Sequence, residues 1–111
     1  MLFKMDIVEI SYVIPLYNCA EYINRCLQSI ENQHISNRRG YEVIVVDDGS
    51  TDGGGDIVAK LQQRNPHIQL IRQANAEVSR ARNVALEKAK GKYLYFVDAD
   101  DLLIDNSESA R

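Results

Sequence analysis

The amino-acid sequence predicts an α/β fold with a mainly parallel, four-stranded sheet and flanking helices. Three observations predict it. Short β-rich apolar runs alternate with stretches of helical apolar spacing, in the order strand, helix, strand, helix, strand, helix, strand. The connections have the length of crossover helices, the usual link between parallel strands. Acid-rich clusters stand directly after two of the apolar runs, Asp47-Asp48 and Asp98-Ala99-Asp100-Asp101. In open parallel sheets ligands bind outside the carboxyl ends of the strands, where these clusters fall.

Each element has its own signal. Glu9 to Ile14 is a short β-rich run, and Pro15, which cannot donate to a ladder, is expected to stop it. From Glu21 the spacing turns helical, with Ile23, Cys26, Leu27 and Ile30 forming one apolar stripe. Ser36 to Gly40 is polar and turn-like. Tyr41 to Val46 is an apolar run of the kind covered on both faces. It ends abruptly in Asp47-Asp48-Gly49-Ser50-Thr51-Asp52. A second helix follows, with Ile57, Val58 and Leu61 as its inner face, and Asn65-Pro66 ends it. Ile68 to Ile71 is the third strand, and Arg72 to Ala76 a loop. Glu77 to Lys90 reads as a third helix whose narrow face is Val78, Ala81, Ala85 and Ala89. Lys88 and Lys90 suit its C-terminal dipole, and Gly91 suits the position just past its end. Tyr93 to Val97 is the fourth strand.

The chain has 111 residues, room for one domain with a real core. Thirteen Lys and Arg against sixteen Asp and Glu give a formal net charge of −3, which argues against a dedicated nucleic-acid binder. Lys4, Asp6 and Glu9 break the apolar runs of the N-terminus, so no signal-peptide core is expected there. No stretch approaches the ~20 apolar residues of a membrane span. Cys19 and Cys26 lack the spacing and partners of a metal site and read as small half-buried thiols in a reducing, cytoplasmic setting, which includes the inner membrane surface.

The two acid clusters carry the chemistry. In a parallel sheet both face the same edge, so five carboxylates are expected to converge on one crevice. Like charges in a cleft repel, and a divalent cation offsets them. Oxygen-only ligands suit Mg²⁺ or Mn²⁺, ions that also bind substrate phosphates. Asp52, and with it Ser50, fits a helix cap instead. Gly53-Gly54-Gly55 lacks the Lys of a phosphate-cradling loop and reads as a flexible turn.

Four segments occur in order: Tyr12-Val13-Ile14-Pro15-Leu16-Tyr17-Asn18, Val45-Val46-Asp47-Asp48-Gly49-Ser50-Thr51-Asp52, Ser79-Arg80-Ala81-Arg82-Asn83 and Phe96-Val97-Asp98-Ala99-Asp100-Asp101. Together they resemble the N-terminal half of family 2 glycosyltransferases, enzymes of the GT-A fold. The resemblance implies a Rossmann-like sheet whose edge binds a nucleotide-diphosphate sugar, with a UDP-sugar expected. It places Pro15 and Tyr17 beside the nucleotide, Tyr17 against the base. It makes Asp48 the acid that contacts the base and Asp47 its supporting neighbour. It sets Arg82 and Asn83 beside the nucleotide and reads Asp98-Ala99-Asp100 as a metal-binding D-x-D, Asp100 on the metal and Asp98 toward ribose or metal.

The resemblance further implies an inverting, metal-dependent transfer to an acceptor glycan or lipid-linked glycan. It covers residues 1–103 as a nucleotide-sugar-binding half-domain and leaves 104–111 as a polar tail. The acceptor site and the catalytic base are therefore expected beyond Arg111, with the chain a truncated enzyme whose uncovered apolar surface invites self-association. Ala74-Asn75-Ala76-Glu77 departs from the family, which has a Gly-rich turn there. Two other classes gather acids at strand ends. A receiver-type phosphoacceptor module wants its acidic pair after the first strand, where Pro15-Leu16-Tyr17 stands. A haloacid-dehalogenase-like phosphatase wants its other motifs downstream of the nucleophile loop, and few residues follow Asp101.

Overall fold

The computed structural model describes residues 8–34, 40–74 and 78–102. In chain order the elements are β1 (Ile10–Leu16), α1 (Ala20–Gln33), β2 (Tyr41–Asp48), α2 (Gly54–Arg64), β3 (Ile68–Gln73), α3 (Val78–Lys88) and β4 (Tyr93–Phe96). The alternation is the predicted one. The four strands form one parallel sheet in the order β3-β2-β1-β4. The chain runs outward from β1 to β3 and then returns to lay β4 on the other side of β1. The order therefore reverses between β1 and β4, and a ligand crevice belongs at the carboxyl ends of those two strands. A receiver-type module has the order 2-1-3-4-5, so this topology is not that fold.

Strand alternation decides which helix covers which face. Tyr12, Ile14 and Leu16 of β1 and Val43 and Val45 of β2 share one core with Ile23, Cys26, Leu27 and Ile30 of α1 and Val58 of α2. Val13, Ile44 and Val46 point the other way and pack with Ala85 of α3. The predicted stripe of α1 is wholly buried. Each large aliphatic side chain buried in this way contributes roughly 1.5–3 kcal/mol. Of the narrow face of α3, Ala85 is buried and Ala89 packs beside it, while the side chains of Val78 and Ala81 lie outside the description.

Three expectations are corrected. Pro15 does not stop β1, which pairs with β2 through Pro15 to Leu16. The Val13 carbonyl accepts from Val97 N–H at 3.0 Å, so odd residues of β1 aim their main-chain groups at β4. Pro15 shares that parity, so its missing N–H faces β4 and costs the β2 ladder no bond, and the β4 ladder ends at Phe96, opposite Val13. Gly53-Gly54-Gly55 is no loose turn. Gly53 has φ +89° at the N-cap, and Gly54 and Gly55 are the buried first residues of α2. The third correction concerns Gly91, which does not cap α3 in the left-handed region. It is pressed against β1, where its N–H donates to Ser11 Oγ at 2.7 Å. Ser11 Oγ donates in turn to Glu42 at 2.6 Å, and the same carboxylate accepts the Lys90 N–H at 2.7 Å. Among the described residues β4 is an edge strand, and its Tyr93, Leu94, Tyr95 and Phe96 are each about half exposed (43–53%).

Candidate functional site

The loops after β1 and β2 are stitched together. Asn18 sits at φ 51°, a left-handed conformation that Asn tolerates. Its N–H donates to Ser50 Oγ at 3.0 Å, and its side-chain oxygen accepts the Thr51 N–H at 2.8 Å. Asp52 reaches both neighbouring helices, accepting the Ala20 N–H at 2.9 Å and the Gly54 N–H at 3.0 Å. Those two N–H groups lie at the starts of α1 and α2, where an acid suits the dipole. The hydrogen bond from Ala20 holds the Asp52 carboxyl below the ordinary aspartate range. The expected cap is thus present, although Asp52 precedes the N-cap residue Gly53.

Asp47 and Asp48 part company because adjacent strand residues face opposite sides. Asp47 points to the α2 side. Its carboxylate accepts the Ser50 N–H at 3.0 Å and packs on Gly55, where any Cβ would collide with it. Asp48, only 5% exposed, points to the α3 side and accepts a hydrogen bond from Gln73 Nε2 at 3.0 Å.

The loop after β4 alternates in the same way. Val97 and Ala99 (4% exposed) are buried in the core beside Cys26, while Asp98, Asp100 and Asp101 stay in solvent. A small middle residue lets the loop sink between the two outward acids. The Asp101 N–H closes a turn onto the Asp98 carbonyl at 2.9 Å, and the Cys26 thiol approaches that same carbonyl at 3.7 Å. Carboxylate oxygens of Asp98, Asp100 and Asp101 come within 4.8 Å of one another.

A cavity of about 320 Å³ opens at the switch between β1 and β4. That is within the roughly 300–1,000 Å³ of small-molecule sites. Pro15, Leu16, Tyr17 and Cys19 line it from the end of β1, Asp48 from β2, Arg82 from α3, and Asp98, Ala99 and Asp100 from the β4 loop. Tyr17 is 45% exposed where it lines the cavity. The Arg82 guanidinium lies 5.7 Å from the Phe96 ring centroid, a cation–π contact that holds it at the cavity.

Of the residues expected at the site, Pro15, Tyr17, Asp48, Arg82, Asp98 and Asp100 share this cavity. Asp47 does not line it and supports the turn from behind. Asn83 is exposed on α3 outside it. The segment Asn75-Ala76-Glu77 lies outside the described residues. Gln73, Asn18 and Phe96 carry no role in the sequence reading, although Asn18 and Phe96 stand within the segments that resemble the family. The signal for their roles is register and loop proximity, which the sequence does not print.

The donor set fits a hard cation. The acids offer oxygen alone, and the nearby thiols do not compete with them. Burial, with the Asp101 and Asp100 charges, pushes the Cys26 thiol up to about 12. Burial and the charge of Asp100 also raise Cys19. Both sulfurs stay protonated at neutral pH and are poor ligands.

The model of the family described as Glycosyl transferase family 2 matches residues 11–107. This chain belongs to glycosyltransferase family 2. An uncharacterized glycosyltransferase, YibD of Escherichia coli (strain K12), is 42% identical over 93 residues, covering 84% of this chain and 26% of YibD. Among solved structures, the 1–349 segment of S. aureus TarS superposes with a TM-score of 0.79 at 32% identity, over 93% of this chain and 31% of that one. The same segment has been solved with UDP and with UDP-GlcNAc. The mannosyltransferase PcManGT of Pyrobaculum calidifontis, in complex with GDP-Man and Mn²⁺, gives a TM-score of 0.79 at 30% identity, over 92% of this chain and 30% of that one. The family 2 chain thus has the GT-A fold and spans about a quarter to a third of these relatives. No helix among its described residues is long and apolar enough to cross a membrane.

Proposed function

We propose that this family 2 chain binds the donor of a glycosyl transfer, a nucleoside-diphosphate sugar of the UDP type, in the cavity between β1 and β4. The observation that carries the reading is the convergence of Tyr17, Asp48, Arg82, Asp98 and Asp100 on that one cavity. Tyr17 stacks on the base, and Asp48 accepts its imino N–H. Arg82 holds phosphate oxygens in a forked contact. Asp98 and Asp100, joined by Asp101, hold Mg²⁺ or Mn²⁺. The bound ion supplies charge neutralisation for the departing diphosphate. The transfer is inverting, and the acceptor is a glycan or lipid-linked glycan. The base that deprotonates the acceptor hydroxyl is assigned to no described residue. The protonated, unpaired thiols Cys19 and Cys26 support a reducing, cytoplasmic setting.

Calorimetry with UDP in the presence and absence of Mn²⁺ tests the reading. Binding heat is expected with Mn²⁺, together with its loss on chelation. The Asp100→Asn variant should bind UDP at least tenfold more weakly with Mn²⁺ and equally without it. A folded protein that releases no heat at millimolar UDP and Mn²⁺ overturns the reading.

A further inference from the structure

We propose that Gln73 is a positioning residue for Asp48 and thereby sets which nucleobase the cavity accepts. The inference rests on the donor-site reading above and adds a residue that does not itself line the cavity. Gln73 ends β3 and Asp48 ends β2, and the two are register partners across the ladder. Gln73 Nε2 donates to Asp48 Oδ1 at 3.0 Å. Opposite a carboxylate the amide must present its NH₂, so the donor assignment follows from chemistry.

The neighbouring register pair shows why the amide matters. Asp47 is partnered by Arg72, one residue earlier on the same two strands and on the opposite face. There the acid is structural and its register partner is a cation, whose ion pair goes to Asp56 at 2.9 Å. On the cavity face the acid must remain an acceptor for a ligand. A guanidinium or ammonium at position 73 would neutralise Asp48 and occupy its lone pairs. A neutral amide takes one lone-pair site of about four and leaves the negative charge in place.

The terminal torsion of an Asp side chain is broad, so a hydrogen bond from Gln73 narrows the orientations that the Asp48 carboxylate adopts. Holding it in advance removes that ordering cost from the binding step. The held carboxylate accepts from a ring that presents an imino N–H, as uracil and guanine do. It repels cytosine, whose equivalent ring nitrogen is an acceptor. Gln73 therefore acts on the base and not on the diphosphate.

The test compares UDP, CDP and inorganic pyrophosphate, each with Mn²⁺, on the whole chain by calorimetry. The unaltered chain is expected to prefer UDP to CDP. Gln73→Leu should weaken UDP roughly tenfold, equivalent to about 1.4 kcal/mol, and leave pyrophosphate unchanged. Gln73→Lys should keep or raise the melting temperature, since it adds an ion pair, yet lose the UDP preference. This second variant separates positioning from folding, because a merely structural role predicts that a stable variant binds normally. If Gln73→Lys or a folded Gln73→Leu retains the original ratio of UDP to CDP affinity, the inference is overturned while the donor site stands. If the unaltered chain binds neither UDP nor pyrophosphate, the donor-site reading fails and carries this inference with it.

Discussion

Asp52 shows how much of an acidic motif is scaffold. One carboxylate serves the starts of two helices, and through them it sets the height of the β1 and β2 loops that flank the cavity. Asp52→Ala is expected to lower the urea midpoint at pH 7. The pH dependence has a definite sign. Folding lowers the carboxyl's pKa below its ordinary 3.8, chiefly through the Ala20 N–H. Its contribution is therefore complete above 3.8 and fades as the pH falls through the lower folded value. The gap in urea midpoint between parent and Asp52→Ala should be constant from pH 7 to 5 and shrink below 3.8. A gap that grows on acidification contradicts the assignment. At this scale the sequence was only partly legible. It marked Asp48, Asp98 and Asp100 as acids standing after apolar runs, and Arg82 through the family resemblance. Asp47 stands next to Asp48 in the same motif, and the pleat alone sends it to the opposite face.

The turn from α3 into β4 shows the same limit in an element. The sequence offers Gly91 as a helix stop, and Gly91 is indeed required, but for space. A Cβ there would meet Ser11 Oγ at 2.5 Å, Ser11 N at 2.6 Å and the Ile10 carbonyl carbon at 2.8 Å. Two of those atoms belong to the backbone of β1, a strand paired on both sides, so they cannot swing away. Gly91→Ala gains part of the roughly 0.4–1 kcal/mol that comes from restricting the unfolded chain. Against it stands an overpacking cost of roughly 1–3 kcal/mol, with the Ser11–Glu42–Lys90 bonds strained besides. The clash wins. A loss of roughly 2 kcal/mol and a melting temperature lower by about 8–16 °C are expected in a thermal scan. A melting temperature at or above the parent's refutes the packing argument. Helix and strand identities were legible where an element buries a patterned face, as α1 and β2 do, while β4, about half exposed, was legible as an apolar run. Contacts between elements distant in sequence, such as Gly91 with Ser11, leave no such pattern.

For the whole molecule, alternation predicts a parallel sheet but does not choose its strand order. Packing chooses it: even residues of β1 must meet α1 and odd residues α3, which lays β4 on the far side of β1. That order creates the crevice and also leaves an edge. Tyr93 N–H donates to the Glu9 carbonyl and Val97 N–H to the Val13 carbonyl, so Leu94 and Phe96 aim their main-chain groups outward. No strand among the described residues pairs with that side, and the four side chains of β4 are about half exposed. Such an edge pairs readily with another copy of itself about a two-fold axis. The chain studied by sedimentation at roughly 100 µM should show a mass that rises with concentration above 12.6 kDa. Leu94→Lys places a charge on the outward strand without touching the Tyr12–Tyr95 stack or the Arg82–Phe96 contact. It should hold the chain at 12.6 kDa across the same range and leave UDP binding unchanged. If parent and variant sediment alike, the β4 edge is not what brings copies together.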